Sequence, residues 1–497
     1  MRQLAVLATS VPLLGACSFI YNPDHINRDI DAQTADVEIV TDVDPTMLTI
    51  DDVVPDKVNE GAGTGNASPA VFVIYGHQIA PDATVTITPT TDDAALVSIV
   101  AQQVAADANF IAFTLQVNDD GMQNDGVEHP IGITVTQSGG AVTRSLDPMK
   151  LVVHHLDSLT TTISAPPARK LYSLINVTDV MTFPPDATLG AIQLRAVGPA
   201  TVTKAITAKA NGTLPGPGGC AGGAMKASGA SSNASSWPCQ GRGESLGGGL
   251  LNNVGGGGGG FAVAGENGSG PGGSGGIMCG TREIDAFSNN APSGGGGGGA
   301  ASVLGSASAA GGGGGMIEIS AGGDLTVGAG INANGADGTG GGGGDGGGGA
   351  GGVILLRAGA TISVTGALTV NKGLKGTGGA AGGDGSVGRI RIDAAKGSLP
   401  DAGYNAPMFI DPPRIVTAQH TSLMLRGFPG DMTASYTVFD RDGNRVDGPQ
   451  AIAFGTDQAT QPVTLKAGYN KVCLVVKNGN VQMNPEAGQC TDIAFLP

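Results

Sequence analysis

Large side chains and positive charge are what this chain has least of. Aromatic residues fill 4% of its 497 positions, with one tryptophan, Trp237. Its cores must therefore be built from Val, Ile, Leu and Ala, and they will be small. Lys and Arg number 26 against 42 Asp and Glu, a net charge of -16. That balance excludes nucleic acid as a partner, because displacing counterions from phosphate needs clustered cations. No apolar run reaches the roughly 20 residues of a membrane-crossing helix. Six histidines are too dispersed for a site; the one adjacent pair, His154-His155, sits on a strand that turns one ring inward and one outward. With no close Cys pair and no His at ligand spacing, no metal site and no cofactor are expected.

What is present begins at the N-terminus. Met1-Arg2 precedes an apolar run from Leu4 to Leu14, then Gly15-Ala16-Cys17. A cationic start, a short apolar stretch and small residues make a secretory signal, residues 1–16, too short to span a bilayer. Leu14-Gly15-Ala16-Cys17 resembles the lipobox of bacterial lipoproteins. The resemblance implies cleavage before Cys17 and acylation of that cysteine, on its glycerol and its amine, which gives a stable membrane anchor. Ser18 in place of Asp is similar to enteric outer-membrane sorting. The expected location is the outer membrane, facing the periplasm or the surface, with residues 17–44 as a polar tether.

Five cysteines remain in an oxidising compartment: Cys220, Cys239, Cys279, Cys473 and Cys490. Cys473 and Cys490 lie in one compact segment, and closing that loop stabilises it by roughly 3 kcal/mol in the chain-entropy account. They are the expected disulfide. Among Cys220, Cys239 and Cys279 any one pairing is open, since the glycine-rich context supplies no geometry.

From residue 45 to 157, short β-branched runs recur between turn signals: Val71 to Tyr75, Thr84 to Thr88, Leu96 to Val100, Phe110 to Val117, Ile131 to Thr136 and Leu151 to His155. Strands at that spacing predict a β-sandwich. Thr49-Ile50 through Pro55, Glu60-Gly61 and Tyr75-Gly76-His77 are similar to the opening of immunoglobulin-like extracellular modules of the IPT/TIG kind.

Residues 165–400 hold a repeat beneath their glycine. Residues 315 to 334 align without a gap on 352 to 371, at a separation of 37, and Ile192, Val202 and Ile206 share the spacing of Ile317, Val327 and Ile331 and of Ile354, Val364 and Leu368. Arg389 to Ala394 begins a fourth copy. Each copy alternates over three short strands, which cannot bury their inner face alone, so stacking into a short parallel β-solenoid is predicted, with paired antiparallel hairpins as the alternative. Asn334 and Asn371 fall at matching turns. Between copies lie Gly255 to Gly260, Gly294 to Gly299, Gly311 to Gly315 and Gly341 to Gly349, the last broken by Asp345. Without a Gly-X-Y period they are not collagen. They are either flexible surface loops or extended polyglycine helices bonded backbone to backbone. Pro215 to Gly219 (PGPGG), the glycine blocks and the GGMIEISA and GGVILLRA segments resemble a class of glycine-rich surface lipoproteins of Gram-negative bacteria, over roughly residues 170 to 395.

Residues 404–497 return to ordinary composition, with strands at Ser422 to Leu425, Ala434 to Phe439, Val463 to Leu465, Val472 to Val476 and Ile493 to Phe495. They predict a second, immunoglobulin-like sandwich. Asp442-Gly443 signals a type I′ hairpin, which explains Asp440 and Asp442 more economically than calcium does.

Catalytic signatures fail on context. Gly272-Gly273-Ser274-Gly275-Gly276 fits a nucleophile elbow by letters, but neither the preceding strand nor the following helix is there. Sugar-cleaving solenoids need carboxylates converging on one face. The outward positions Glu318, Ser320, Asp324, Thr326 and Asn332, then Leu355, Arg357, Thr361, Ser363 and Thr369, repeat no acidic pair. Asn118 to Asp125 departs from calcium-loop spacing and reads as a solvated hairpin tip. The expectation is an all-β, lipid-anchored envelope protein without enzymatic activity, in an adhesive or surface-structural role, whose partners are the membrane and a polysaccharide or envelope protein. A carbohydrate-active enzyme and an ice-binding surface are the alternatives.

Overall fold

The structure is a computed structural model describing residues 48–88, 96–121, 126–138, 151–159, 169–186, 188–223, 255–269, 273–276, 308–341, 344–396, 408–426, 433–453, 458–478, 481–482 and 490–497. The expected signal, Cys17, the tether, Cys239 and Cys279 lie outside these residues. Every element among them is a strand.

Eight strands form the N-terminal unit: β1 (Thr49–Val54), β2 (Lys57–Asn59), β3 (Ala70–His77), β4 (Thr84–Thr88), β5 (Val97–Val104), β6 (Phe110–Val117), β7 (Glu128–Thr136) and β8 (Leu151–His154). They make two four-stranded sheets, β1-β3-β6-β5 and β2-β8-β7-β4, around a core that includes Phe72, Ile74, Ile111, Phe113, Ile133 and Val153. Phe72 and Phe113 stack at 5.4 Å in its centre.

The central unit contains β9 (Arg169–Tyr172), β10 (Ile175–Val177), β11 (Met181–Thr182), β12 (Ile192–Ala196), β13 (Ala200–Val202), β14 (Ile206–Thr207), β15 (Met316–Ala321), β16 (Leu325–Val327), β17 (Ile331–Asn332), β18 (Val353–Val364), β19 (Leu368–Thr369) and β20 (Arg389–Lys396). All pairings between these strands are parallel, and residues aligned by the repeat stand opposite one another: Ile192, Ile317 and Ile354 in one row, Ile206, Ile331 and Leu368 in another. A solenoid of separate three-strand coils is nevertheless not what these strands build. β18 runs for 12 residues, pairing with β15 through its first half and with β16 through its second. The preceding copy breaks between Ala321 and Leu325, but Gly359-Ala360 stays in strand conformation. The corner becomes a bend within one strand, and the two arms fuse into a single eight-stranded parallel sheet, barrel-like in its curl, in the order β10-β13-β16-β18-β15-β12-β9 with β20 beside β18. A separate four-stranded sheet, β11-β14-β17-β19, faces it across the core of Ile192, Leu194, Val202, Ile319, Leu325, Ile331 and Leu356.

The immunoglobulin-like assignment of both ends is corrected as well. A constant-type domain divides seven strands four to three, whereas the N-terminal unit has two four-stranded sheets, one with the parallel pair β2 and β8. The C-terminal unit is built from β21 (Met408–Ile410), β22 (Ile415–Val416), β23 (His420–Arg426), β24 (Thr433–Asp440), β25 (Arg445–Ile452), β26 (Gln458–Thr464), β27 (Gly468–Asn478), β28 (Val481–Gln482) and β29 (Cys490–Phe495). These divide into a three-stranded and a six-stranded sheet, the latter with β22 parallel to β29. Cys473 and Cys490 face each other across β27 and β29 and are disulfide-bonded, with Cα atoms 4.0 Å apart. The Asp442-Gly443 hairpin forms with positive φ at Gly443 (77°) and not at Asp442. The Gly443 amide donates to the Asp440 carbonyl, so a type I turn followed by a left-handed glycine replaces the expected type I′ turn.

The described polyglycine runs are ordered. Their amides follow a period of three, the period of an extended three-residue-per-turn helix. Gly348 and Gly351 donate to the Gly383 and Ser386 carbonyls, while Gly346, Gly349 and Gly352 donate to Thr339, Ala336 and Ala333. Gly256 and Gly259 likewise donate to Asp345 and Gly348. Each segment thus bonds to neighbours on several sides. Side chains are excluded by contact: a Cβ on Gly258 would meet the Asp384 carbonyl oxygen at 1.8 Å, and one on Gly349 the Gly312 oxygen at 2.0 Å.

Candidate functional site

Because the pairings along β10-β13-β16-β18 and β11-β14-β17-β19 are parallel and without register shifts, outward side chains form rows. Asn176, Thr201, Thr326 and Ser363 occupy one row across β10, β13, β16 and β18. Thr182, Thr207, Asn332 and Thr369 occupy another across β11, β14, β17 and β19. Their intervening neighbours, such as Val202, Val327, Ile206 and Ile331, are buried in the core, which fixes the strands beneath. Neighbours in a row are about 4.8 Å apart, the strand spacing, so each row of four extends about 14 Å. Most of these eight side chains are half-buried, with Thr182, Thr326 and Ser363 exposed, and none carries a charge. At the turns the Asn371 amide donates to the Asn334 side chain at 2.7 Å.

The opposite ridge of the large sheet has another character. Arg195, Glu318, Arg357, Asp393 and Arg391 alternate in charge across β12, β15, β18 and β20, and Glu318, Asp393 and Arg391 are buried. Arg195 bonds Glu318 through Nε (3.1 Å) and Nη2 (3.0 Å), and Gln193 and Ser320 each donate to it at 2.8 Å. Arg357 lies 3.7 Å from Glu318 and donates to Asp393 at 3.2 Å; Arg391 grips Asp393 at 2.9 Å through both Nε and Nη2. Burial alone would raise the Glu318 pKa, but the charges of Arg195 and Arg357 and the bonds they and Ser320 make hold it down at about 2. A carboxylate locked in its ionised form cannot donate a proton at neutral pH, so Glu318 is unsuited to the acid step of glycoside cleavage. Nearby, Phe261 packs against Met316, Val353 and Leu355, with the Arg389 guanidinium 5.2 Å from its ring centre.

A third cluster lies at the base of the N-terminal unit. Glu60 follows β2, His155 follows β8, and Asp120 comes from the segment after β6 that reads in sequence as a hairpin tip. Glu60 and His155 are buried, 0% and 1% exposed. His155 Nδ1 lies 3.5 Å from Glu60 Oε2 and 3.3 Å from Asp120 Oδ2, and the three ligand atoms fall within 4.8 Å of one another. The Asp120 amide donates to Glu60 Oε1, and the Leu156 amide to Oε2 at 3.0 Å. Burial pushes the Glu60 pKa up to about 7, against the lowering effect of those two amides. The His129 ring lies 4.5 Å from that of His155. Next in sequence, Asp119 accepts the Ser173 hydroxyl at 2.6 Å, joining this corner to the central unit.

The sequence reads one ring of the His154-His155 pair inward and one outward, and the structure makes His155 the inward one, with His154 half-buried. The sequence gives no sign of Glu60, 95 residues earlier, as a partner. The composition of Asn118 to Asp125 was the available signal. Cys220 sits beside the glycine bundle, its carbonyl accepting the Gly313 amide at 2.9 Å. No known protein family, curated protein or solved structure matches this chain. Its function therefore has to follow from its own surfaces.

Proposed function

We propose that the chain is a lipid-anchored protein of the outer membrane that acts without catalysis, its hydroxyl and amide rows forming an adhesive or structural surface for a polysaccharide or another envelope protein. The observation carrying this reading is the register of the central sheets, which sets eight uncharged hydrogen-bonding side chains in two rows at strand spacing. Rows of donors and acceptors on a stiff support lose little side-chain and backbone entropy on contact, so weak bonds add usefully. Asn and Ser interrupt the threonines, giving side chains of differing reach, which suits a hydroxylated polymer better than a regular lattice. The charged ridge of Arg195, Glu318, Arg357, Asp393 and Arg391 pairs its charges among its own side chains and offers a ligand little. The lipid end of the reading rests on Leu14 to Cys17, and the chain's net charge of -16 favours an acidic, soluble exterior.

The test is a glycan array probed with the detergent-solubilised whole chain, beside a Thr201→Lys/Thr326→Lys variant whose changes point outward. Selective retention of one polysaccharide class, lost at least tenfold in the variant, is the expected result. Equal binding by both proteins would remove the rows from the reading, and no binding by either would leave the adhesive role without support.

A further inference from the structure

We propose that Glu60, Asp120 and His155 bind one divalent transition-metal ion of the zinc class, which pins the segment after β6 to the base of the N-terminal unit. The distances carry this. A charge-assisted hydrogen bond from an imidazole to a carboxylate runs about 2.7–2.9 Å. His155 Nδ1 stands instead at 3.3 and 3.5 Å from two carboxylate oxygens at once. Ligand atoms about 2.0–2.1 Å from a tetrahedral ion are about 3.3–3.4 Å apart, which the two spacings from His155 match, and the three ligand atoms all lie within 4.8 Å of one another.

Charge and donor type agree with the geometry. No lysine or arginine pairs with Glu60 among the described residues; the charges acting on it are those of Asp120 and Asp119, with the His155 ring beside it. Two carboxylates in so closed a space, one fully buried and the other 11% exposed at its side chain, are stabilised by a cation. One imidazole with two carboxylates suits zinc, manganese or ferrous ions, whereas calcium and magnesium prefer all-oxygen sets. The outer groups also hold the ligands in place: the amides of Asp120 and Leu156 fix both oxygens of Glu60. Through Asp119 and Ser173 the bound ion would brace the N-terminal unit against the central one.

The experiment uses the untagged whole chain, stripped with a chelator and titrated with Zn2+ by calorimetry, with thermal melting followed in parallel. One equivalent should bind, and the metal should raise the melting temperature of the stripped protein. Asp120→Asn, at the least buried ligand, should weaken Zn2+ binding by roughly 100-fold or more while keeping the near-ultraviolet dichroism of the folded chain. His155→Gln should do the same, and the Asp120 variant decides the matter if His155→Gln fails to fold. A stripped protein that binds no Zn2+ and melts unchanged would overturn the proposal and leave the cluster a buried ion pair. Stoichiometric binding undiminished in Asp120→Asn would also overturn it, by placing the ion elsewhere.

Discussion

At the scale of single residues, the alternating chain from Arg195 to Arg391 makes the clearest demand. Glu318 has its folded pKa lowered from 4.5 to about 2, so its stabilising contribution is complete above 4.5 and is lost as pH falls from there through about 2. Stability measured by thermal melting should therefore fall through that acid window, and Glu318→Gln should flatten the part of the fall that this residue causes. The same variant leaves Arg195 and Arg357 facing a neutral group in a buried ridge, a loss of about 3–5 kcal/mol at neutral pH. A variant that keeps both its neutral-pH stability and its acid profile would show that the ridge is solvated. Sequence placed Glu318 and Arg357 on the outward side of their strands, which holds. It could not show that outward here means enclosed, because Glu318 is surrounded by side chains of neighbouring strands, Gln193 and Arg195 among them, and the adjoining Met316 and Leu355 are covered by the distant segment carrying Phe261. The Glu60 cluster was hidden for a related reason. Spacing reports neighbours along a strand, and Glu60, Asp120 and His155 belong to three separate segments.

At the scale of elements, the glycine runs convert composition into a steric requirement. Gly349→Ala would push a methyl to 2.0 Å from the Gly312 carbonyl oxygen. Overpacking of that kind costs about 1–3 kcal/mol, and here the obstructing atom is backbone, which places the cost at the upper end. Gly190→Ala is the control, since a Cβ there meets nothing within 4 Å. It should be neutral or slightly stabilising, by less than about 1 kcal/mol. Thermal melts of the two variants beside the parent make the comparison, and equal melting temperatures would mean that the bundle yields. The sequence left both loops and bonded helices open because glycine itself favours neither; the decision lies in the carbonyls of neighbouring segments. The 37-residue repeat was legible, and the residues it aligns are the residues the sheets pair. The fusion through β18 was not. Gly359-Ala360 sits where the previous copy turns, and only its pairing with both β15 and β16 keeps it extended.

At the scale of the whole molecule, the two ends meet. Val71, Val73 and Ala112 of the N-terminal unit pack against Tyr469, Ala494 and Leu496 of the C-terminal one. The Tyr469 amide donates to the Tyr75 hydroxyl at 2.7 Å, and the Arg441 guanidinium stands 4.2 Å from the Tyr75 ring centre. A trace of this was present in the sequence: Val71 to Ile74 and Ile111 to Leu115 are unbroken buried runs rather than alternating ones, as expected of strands covered on both faces. What covers them could not be read, since the partner lies almost 400 residues away. Burial pushes the Tyr75 pKa up to about 12, so the phenol remains neutral at physiological pH and can accept the Tyr469 amide. Tyr75→Ala removes the ring, the acceptor and the seat of Arg441 together, which should destabilise the joint by about 2–4 kcal/mol. Tyr75→Phe removes the acceptor alone and should cost about 1 kcal/mol. If the terminal units support one another through this joint, calorimetry of Tyr75→Ala should resolve the C-terminal transition as a separate event at lower temperature, while Tyr75→Phe keeps the parent profile with a small shift. A Tyr75→Ala profile indistinguishable from the parent would mean that the two units are held together by the central unit, each docking on it independently.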